Sequence, residues 1–419
     1  MHVLYFHQYF TTPNGSGGTR SYEMARRLVE RNHQVTMICG SSARADTGLS
    51  GPYHRGVRRG VVEGIAVIEM DLGYSNYDSL LKRTWIFLRF AIYSSWLALR
   101  LPCDLVFCTS TPLTAAIPGI FARWLRLKPF VFEVRDLWPE LPREMGVITN
   151  PLLLKLMDWL ESGTYNSAVA CIGLSPGIVQ GIVRCGIPAE RVAMIPNGCD
   201  LRIFAERGAA VRPIKGVEPG DLVAVFTGAH GRANDLDAVL DAAAALHTRH
   251  RNDIKLLFIG DGALKPDLVA RARAEGLDNC IFLAPVPKRE LAALMSEVDV
   301  GLMVLANVPA FYYGTSPNKF FDYIASGLPV VNNYPGWLAE MISEYRCGLA
   351  IPADDPSAFA DALEFLADDR DVLVQMRRNA GSLAEREFDR QKLADAFVDW
   401  LEAHNHNGDA DALSAGSNS

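Results

Sequence analysis

Residues 315–331 of this 419-residue chain read TSPNKFFDYIASGLPVV. The order predicts a helix opened by a Ser-Pro-Asn cap, with Lys319 and Asp322 in its first turns. Gly327 and Pro329 then turn the chain into an apolar strand. A helix start offers unpaired backbone N–H groups and a positive dipole end, which suit a phosphate, and a carboxylate one turn later can accept hydrogen bonds from ribose hydroxyls. The stretch therefore predicts a site for a sugar nucleotide.

Short apolar runs alternate with helical patterns along the chain, which predicts parallel sheets with right-handed helical crossovers. The strands predicted in the first half are 2–7, 34–39, 65–70, 105–108, 130–134, 168–174 and 192–195. Those predicted in the second half are 222–226, 255–259, 281–283, 300–305, 330–332 and 349–351. The predicted fold class is therefore α/β, with two doubly wound parallel sheets that face each other across residues 196–198 and form a cleft. Such sheets bind ligands at the carboxyl ends of their strands.

The glycine pair Gly17 and Gly18 follows the first predicted strand and opens a helix. Adjacent glycines let the backbone approach a diphosphate, and the helix start can hold it. The stretch is not a G-x-G-x-x-G sequence, and no carboxylate suited to an adenine ribose follows at the usual spacing, so no dinucleotide cofactor is expected. A purely structural turn is the alternative.

Five motifs occur in an order that resembles the family-four retaining glycosyltransferases of the GT-B fold. They are NGSGGTRSYEMARRL at 14–28, EVRDLWPE at 133–140, IPNGCD at 195–200, the Gly-Asp-Gly of 260–262 and the stretch 315–331. EVRDLWPE is similar to the subgroup, fucosamine transferases among them, that builds bacterial O-antigen and capsule repeats on a lipid carrier. The resemblance implies two Rossmann-like domains of the GT-B fold. These are an acceptor and membrane-side domain at 1–200 and a nucleotide-sugar domain at 201–386. A helix at 387–405 returns to the first domain, and the small polar residues 406–419 form a disordered tail.

The resemblance also implies the donor residues. Related enzymes carry an Arg and a Lys on the donor diphosphate where this chain has Ala229 and Asn234, and often a Glu where it has Gly314. Arg232 and His230 are the available substitutes for the two cations, and Lys319 is the remaining cation of the helix motif. The donor or nucleotide-binding residues predicted in this way are Gly17, Gly18, Gly228, His230, Gly262, Ser316, Asn318 and Asp322, with Lys319 and Arg232 as catalytic cations.

On the acceptor side, the resemblance points to residues 133–140 and to Arg20. Arg135 stands where many relatives carry a His, and a cation there would favour a pyrophosphate. Asp136 is a candidate for contact with the reacting sugar, while Glu140 is expected to be structural. Arg135 and Asp136 are therefore predicted catalytic residues, and Arg20 is an acceptor-side candidate.

The charge is uneven: residues 1–204 carry a net +5 and the remainder a net −12. A basic half of an acidic protein suggests an anionic partner, with plain surface variation as the alternative. The apolar run 80–101 is about long enough to span a membrane, but Arg89 interrupts it. A buried crossover helix is one interpretation. With the Arg-Trp run 121–128 and a flexible basic loop at 53–59, the other is a surface that lies on anionic lipid.

The predicted function is transfer, with retention, of a sugar from a nucleotide donor to a polyprenyl-diphosphate-linked acceptor. The donor is expected to be UDP-linked and its sugar N-acetylated. The alternatives are a nucleotide-sugar 2-epimerase of the same fold and a non-catalytic scaffold. No cofactor, no metal and no nucleic-acid partner are expected, and Asp235-Leu236-Asp237 is interpreted as a helix start. The eight cysteines form no C-x-x-C pair, so reduced thiols at the cytoplasmic face of a bacterial membrane are expected.

Overall fold

The computed structural model describes residues 1–42, 45–75, 78–205 and 214–405. This part of the chain divides into two compact units. Unit 1 comprises Met1–Pro196, Gly314–Ser316 and the described part of Gln391–Ser419, and unit 2 comprises Asn197–Tyr313 and Pro317–Arg390. Each unit is built on one sheet, as the alternating pattern predicts. The predicted tail at 406–419 lies outside the described residues.

Unit 1 has an eight-stranded sheet in the order β3-β4-β2-β1-β5-β6-β7-β8. The strands are β1 His2–Phe6, β2 Gln34–Ser42, β3 Val57–Val62, β4 Ile65–Tyr74, β5 Leu105–Thr109, β6 Phe130–Val134, β7 Ala170–Gly173 and β8 Val192–Met194. All neighbours pair in parallel except β3 and β4. The inner strands β1, β5 and β6 are buried almost throughout, because helices cover a parallel sheet on both faces.

The edge strand β3 includes part of a stretch that the sequence predicted to be a flexible loop. Most of the stretch expected to be a flexible basic loop, 53–59, leads into or belongs to this strand, which pairs antiparallel with β4. Arg58 and Tyr53 both bond to the buried carboxylate of Glu69, with Arg58 Nε 2.8 Å from Oε2 and the Tyr53 hydroxyl 2.6 Å from Oε1. The loop interpretation was wrong for residues 57–59, because this segment forms a hairpin with β4 and its Arg58 bonds to the buried carboxylate of Glu69 on that strand.

Helices and short turns complete unit 1. The helices are α1 Arg20–Glu30, α2 Leu80–Arg100, α3 Ile117–Arg126, α4 Glu140–Glu144, α5 Pro151–Ser167 and α6 Pro176–Arg184, with single 3-10 turns at Leu113–Ala116 and Ala189–Arg191. The core joins these helices to the sheet, and its largest buried rings include Phe90, Phe107, Phe130 and Phe132.

Helix α2 is fixed at both ends. The Ser79 hydroxyl accepts a hydrogen bond from Lys82 N at its start. At its end, Arg126 of α3 donates to the carbonyl oxygens of Ala98 and Leu101, each at 2.6 Å. The helix lies between two strands as a crossover. No helix within the described ranges is long and apolar enough to cross a membrane.

Unit 2 has a six-stranded, fully parallel sheet in the order β11-β10-β9-β12-β13-β14. Its strands are β9 Leu222–Ala229, β10 Ile254–Asp261, β11 Cys280–Leu283, β12 Val300–Met303, β13 Val330–Asn332 and β14 Gly348–Ala350. Its helices are α7 Leu201–Ala205, α8 Asp237–Thr248, α9 Lys265–Ala274, α10 Lys288–Met295, α11 Pro309–Gly314, α12 Asn318–Ala325, α13 Trp337–Glu344, α14 Pro356–Asp368 and α15 Arg370–Glu387, with a 3-10 turn at Arg232–Asn234. Two doubly wound α/β units confirm the predicted fold class.

The last described helix, α16 Arg390–His404, belongs to unit 1 from Gln391 onward. Phe397 packs edge-on against Phe107 of β5, with ring centroids 5.0 Å apart, and Arg27 of α1 holds Asp395 at 2.6 Å. Most of the cysteines are buried, whereas Cys185 is exposed and Cys280 is half-buried, and all eight are free thiols.

Candidate active site

The strand orders place one switch point in each sheet. In unit 1 the order reverses between β1 and β5, and in unit 2 it reverses between β9 and β12. Ligands of open α/β sheets bind at the carboxyl ends of the strands beside such a point. Two groups of predicted residues lie at these ends, one in each unit.

In unit 1 a buried ion pair lies at this edge. Arg20, at the start of α1, is fully buried, and its Nη2 is 2.7 Å from Oε2 of Glu133 on β6. The same guanidinium donates to the carbonyl oxygens of Ile195 and Pro196, at 2.9 and 2.6 Å. The prediction that Arg20 contacts an acceptor is therefore corrected: its donors are used inside unit 1, where it ties α1 to β6 and to the chain after β8.

Glu133 connects this pair to Arg135. Its Oε1 accepts from the Thr109 hydroxyl at 2.7 Å and from Arg135 Nε at 3.1 Å. Burial alone would raise the pKa of the Glu133 carboxyl, but the charges of Arg20 and Arg135 and the hydrogen bonds outweigh it and hold that pKa at about 2. Glu133 is therefore an anion at neutral pH that fixes Arg135 in position.

Arg135 and Asp136, which the sequence predicts as catalytic residues, follow directly after β6. Arg135 Nη2 donates to Ser21 Oγ at 2.8 Å, whereas its Nη1 makes no hydrogen bond to any described residue. The Thr111 hydroxyl donates to Asp136 Oδ2 at 3.1 Å. Burial raises the pKa of Asp136, against the smaller opposite effects of Thr111 and Arg135. The pair offers one cationic edge and one carboxylate beside the ends of β5 and β6.

The glycine pair lies in the turn between β1 and α1. A Cβ on Gly17 would lie 3.0 Å from the Thr11 methyl group, which is tighter than ordinary packing. Gly17 is therefore required for close packing of this turn, in keeping with the structural alternative. A contact of Gly17 or Gly18 with a diphosphate stays a prediction.

In unit 2, Lys319 is the centre of the second group. Its ammonium lies 4.1 Å above the ring centre of Phe226 and donates to Asn234 Oδ1 at 2.5 Å. Gly228 is so close that a Cβ there would lie 3.7 Å from Lys319 Cε. Burial lowers the pKa of Lys319 to about 7. Lys319 from α12 thus lies at the end of β9, beside Asn234, the position at which relatives carry a lysine.

His230 and Gly262 have structural surroundings. His230 is fully buried among Phe226, Phe258 and Phe282, with ring centroids 5.9 to 6.5 Å away. A Cβ on Gly262 would lie 2.3 Å from the His230 carbonyl oxygen, so only glycine fits there. His230 is therefore packed in the aromatic core of unit 2, and its role as a substitute cation stays a prediction. Gly262 serves backbone packing between β9 and β10.

Asp322 belongs to a buried charge network in unit 2. Its Oδ1 lies 3.1 Å from Lys288 Nζ, Lys288 also pairs with Asp200, and Asp200 accepts from Arg390 Nε at 2.7 Å. Burial raises the pKa of Asp322 despite Lys288, whereas Arg390 and Lys288 overcome burial and lower the pKa of Asp200. One oxygen of the predicted ribose ligand is thus already paired with a lysine.

The remaining predicted donor residues differ in their exposure. Arg232 is exposed, and in the part of the chain that the structure describes its guanidinium makes no hydrogen bond or ion pair. Asn318 has a buried Oδ1 without a hydrogen-bond partner among the described residues. Ser316 is buried, and Gly314 ends α11. Asp235 and Asp237 lie at the start of α8, and among the described residues no His, Cys, Asp and Glu side chains cluster as metal ligands would.

Three contributors were missed by sequence reasoning. Thr111 positions Asp136, Phe226 lies under the Lys319 ammonium, and Lys288 pairs with Asp322. Asn234 did carry a signal, because it stands at a family cation position, but its role as the acceptor for Lys319 depends on a segment 85 residues away.

Glu133→Gln should weaken unit 1 and change its response to acid. The folded-state pKa of about 2 lies below the ordinary value of 4.5, so the carboxylate contributes stability above pH 4.5 that is lost as the pH falls towards 2. We expect wild-type protein to lose about 3 kcal/mol of unfolding free energy from this group over that range. The variant should lack this loss but be less stable at pH 7, since it leaves Arg20 without its counter-ion.

Urea titration at pH 7 and in acid measures both effects, with Glu190→Gln, an exposed carboxylate of the same unit, as control. Equal acid responses of Glu133→Gln and wild type would contradict the assigned role.

Comparisons with known proteins agree with this architecture. Residues 15–198 match the family model described as "Glycosyl transferase 4-like domain", and residues 221–369 match "Glycosyl transferases group 1". The chain is 30% identical over 235 residues to a D-inositol 3-phosphate glycosyltransferase of Paenarthrobacter aurescens, covering 54% of each chain. It is 24% identical to the alpha-D-kanosaminyltransferase of Streptomyces kanamyceticus, covering 70% of this chain and 74% of that protein.

Solved structures show the same fold. Anabaena HepE in complex with UDP and glucose superposes with a TM-score of 0.67 at 15% identity, covering 96% of this chain and all of that one. WaaG, described as a glycosyltransferase involved in lipopolysaccharide biosynthesis, gives 0.64 at 14% identity, covering 95% and 99%. The chain spans about half the length of the inositol phosphate relatives that it matches. It carries a glycosyl transferase 4-like domain followed by a glycosyl transferases group 1 domain, on the GT-B fold of glycosyltransferases.

Proposed function

We propose that this protein is a retaining glycosyltransferase that moves an N-acetylated sugar from a UDP-sugar to a polyprenyl-diphosphate-linked acceptor in bacterial surface polysaccharide synthesis. The two domain matches support glycosyl transfer. The relatives are named for inositol phosphate and kanosaminyl transfer, so the lipid-linked acceptor and the fucosamine-type subgroup rest on the EVRDLWPE motif.

The observation that carries the proposal is the cation group at the end of β9. Lys319 reaches Asn234 and Gly228 from the start of α12, and Arg232 lies exposed on the same turn as Asn234. Two cations and a helix N-terminus at the carboxyl end of a parallel strand form a site for a diphosphate. Lys319 and Arg232 therefore replace the two family cations that the sequence lacks.

The proposed sugar transfer needs few protein groups beyond these two cations and the helix N-terminus. The bond from the anomeric carbon to the UDP β-phosphate oxygen breaks, and the acceptor hydroxyl oxygen bonds to that carbon on the same face of the sugar. The acceptor proton passes to the departing phosphate oxygen, which leaves UDP and the lengthened acceptor. The cations contribute most as charge grows on the leaving diphosphate.

Unit 1 supplies the acceptor side. Arg135, held by Glu133 and Ser21, keeps Nη1 available for an acceptor phosphate, and Asp136 is available to a sugar hydroxyl. Arg20 acts on this side only through Glu133, as a positioning residue.

A lipid surface is the second proposed partner. Exposed apolar side chains follow one stripe of α2 at intervals of three or four residues, at Leu81, Trp85, Leu88, Ile92, Trp96 and Leu99. The helix contains four cations and no acidic residue. A helix of this composition is suited to the surface of an anionic membrane.

The test of the function is an assay of UDP-sugars with and without a polyprenyl-diphosphate monosaccharide. UDP should be released only when the acceptor is present, and NMR should show the donor's anomeric configuration in the product. Conversion of UDP-N-acetylglucosamine without acceptor would identify a 2-epimerase instead. UDP binding without turnover of any donor would identify a scaffold.

UDP affinity should fall as the pH rises from 7 to 8.5. Lys319 has a pKa of about 7 in the free protein, so it loses its charge over this interval, while a diphosphate binds the charged form. We expect a loss of roughly tenfold, measured by calorimetry. Lys319→Arg keeps its charge throughout and should bind UDP with little pH dependence. A wild-type profile as flat as that of Lys319→Arg would contradict the role of Lys319.

Asp322→Asn separates two roles of this carboxylate. If Asp322 binds the ribose as well as Lys288, the variant should bind UDP about tenfold more weakly, the effect of one charge-assisted hydrogen bond of about 1.4 kcal/mol. Asp322→Glu keeps the charge and should retain more of the affinity. Lower thermal stability with unchanged UDP affinity would make Asp322 a purely structural partner of Lys288.

Reversing the charge of three cations on α2 and α3, of which Arg89 and Arg100 are exposed and Arg123 is half-buried, should release the protein from anionic liposomes. Arg126 is unsuitable for this purpose because it caps α2. Arg89→Glu, Arg100→Glu and Arg123→Glu combined should weaken binding about a hundredfold at low salt, at about 1 kcal/mol for each cation. The matched control reverses Lys215, Arg273 and Arg378 of unit 2, all exposed. Equal release by the control would show that only net charge matters.

A further inference from the structure

Helix α5, Pro151–Ser167, leaves an apolar side without cover. From residue 151 to residue 163 none of its side chains is buried. Leu152, Leu153, Leu156 and Trp159 are exposed, Trp159 by 77%. Monomeric proteins rarely expose large apolar side chains side by side, and where they do the patch is commonly an interaction site.

The helix is nevertheless firmly built. Asn150 caps it by accepting hydrogen bonds from Leu152 N and Leu153 N. Its last turn is buried at Thr164, Tyr165 and Ser167. The exposed leucines therefore belong to a regular helix that is anchored at one end, rather than to an irregular segment.

Helix α3 links α5 to the stripe on α2. It packs against both helices, and the Trp124 indole N–H donates to Ser167 Oγ of α5 at 2.9 Å. Trp124 and Leu125 are themselves exposed by 65% and 64%. The exposed apolar side chains of α2, α3 and α5 together form what we call the apolar face.

We propose that α5 inserts into the interfacial region of an anionic phospholipid bilayer. Unlike α2 and α3, this part of the apolar face carries no excess of cations. This inference rests on the proposed function, in which the protein binds a lipid surface, and it names the helix that enters that surface. Exposed tryptophans beside leucines are typical of a membrane interface, where an amphipathic ring lies at the level of the headgroups.

The charges favour a bilayer over a second copy of this chain. Helices α2 and α3 contain Lys82, Arg83, Arg89, Arg100, Arg123 and Arg126 and no acidic residue. A symmetric dimer through the apolar face would bring like charges together, whereas anionic headgroups would neutralise them. On α5 itself, Asp158 is paired with Arg143 at 3.0 Å, so its charge is already balanced.

The undescribed stretches of this chain offer little apolar cover. Residues 43–44, 76–77, 206–213 and 406–419 contain Tyr77, Val211 and Leu413 as their only large apolar side chains. These few side chains do not match the number exposed on α5 alone.

The test compares two variants of the full chain. One combines Leu152→Gln, Leu156→Gln and Trp159→Gln on α5. The matched control combines Val61→Gln, Val183→Gln and Met194→Gln, three exposed apolar residues elsewhere in unit 1. Flotation with phosphatidylglycerol–phosphatidylcholine liposomes should show at least a tenfold loss of binding for the α5 variant and none for the control. Circular dichroism and turnover of a short-chain soluble acceptor should be unchanged in both.

A second measurement reports on insertion directly. The emission of Trp159, obtained as the difference between wild type and Trp159→Phe, should shift to the blue and be quenched by lipids brominated on their acyl chains. Unquenched emission, or equal liposome binding by all three proteins, would overturn the proposal. So would a wild-type dimer in sedimentation that the α5 variant converts to a monomer, since the occupant would then be a second copy. Liposome binding without any sugar transfer would overturn the proposed enzyme and leave the insertion of α5 standing.

Discussion

Parallel pairing is the constraint on which the rest of the structure depends. Every pair of neighbouring strands that the structure describes is parallel except β3 and β4, so apart from β3 the strands of each sheet end at one edge. Each strand then needs a helical crossover, and the helices bury both faces of the sheet. The polar groups at the carboxyl ends beside the switch points are half-buried, and they include Arg135 and Asp136 in unit 1 and Lys319 and Asn234 in unit 2.

Buried charges are arranged at these same ends. In unit 1, Glu133 accepts from Arg20, Thr109 and Arg135, and in unit 2, Lys288 joins Asp200 to Asp322. A charge removed from water is tolerated only when it is paired and hydrogen-bonded. Glu133 holds Arg135 and Lys288 holds Asp322, so each network fixes the direction of one predicted site residue.

The outer helices of unit 1 expose apolar side chains to solvent. Helices α2 and α3 cover the sheet with one side and expose large apolar groups on the other, and α5 is exposed along most of its length. Exposed apolar area is unfavourable in water and favourable at a membrane interface. The same unit thus combines a polar edge at the ends of its strands with an apolar face on its outer helices.

The sequence by itself determined the two α/β sheets, because apolar period and turn residues are local signals, and it located thirteen of the fourteen strands that the structure describes. It also placed Lys319 at a helix start and Arg135 beside Asp136, since neighbours in a motif stay neighbours in space. Only the tertiary structure decided that Arg20 and His230 are enclosed and that Lys288 pairs with Asp322. Those outcomes depend on which distant side chains meet, and burial and pairing arise from contacts that no local pattern encodes.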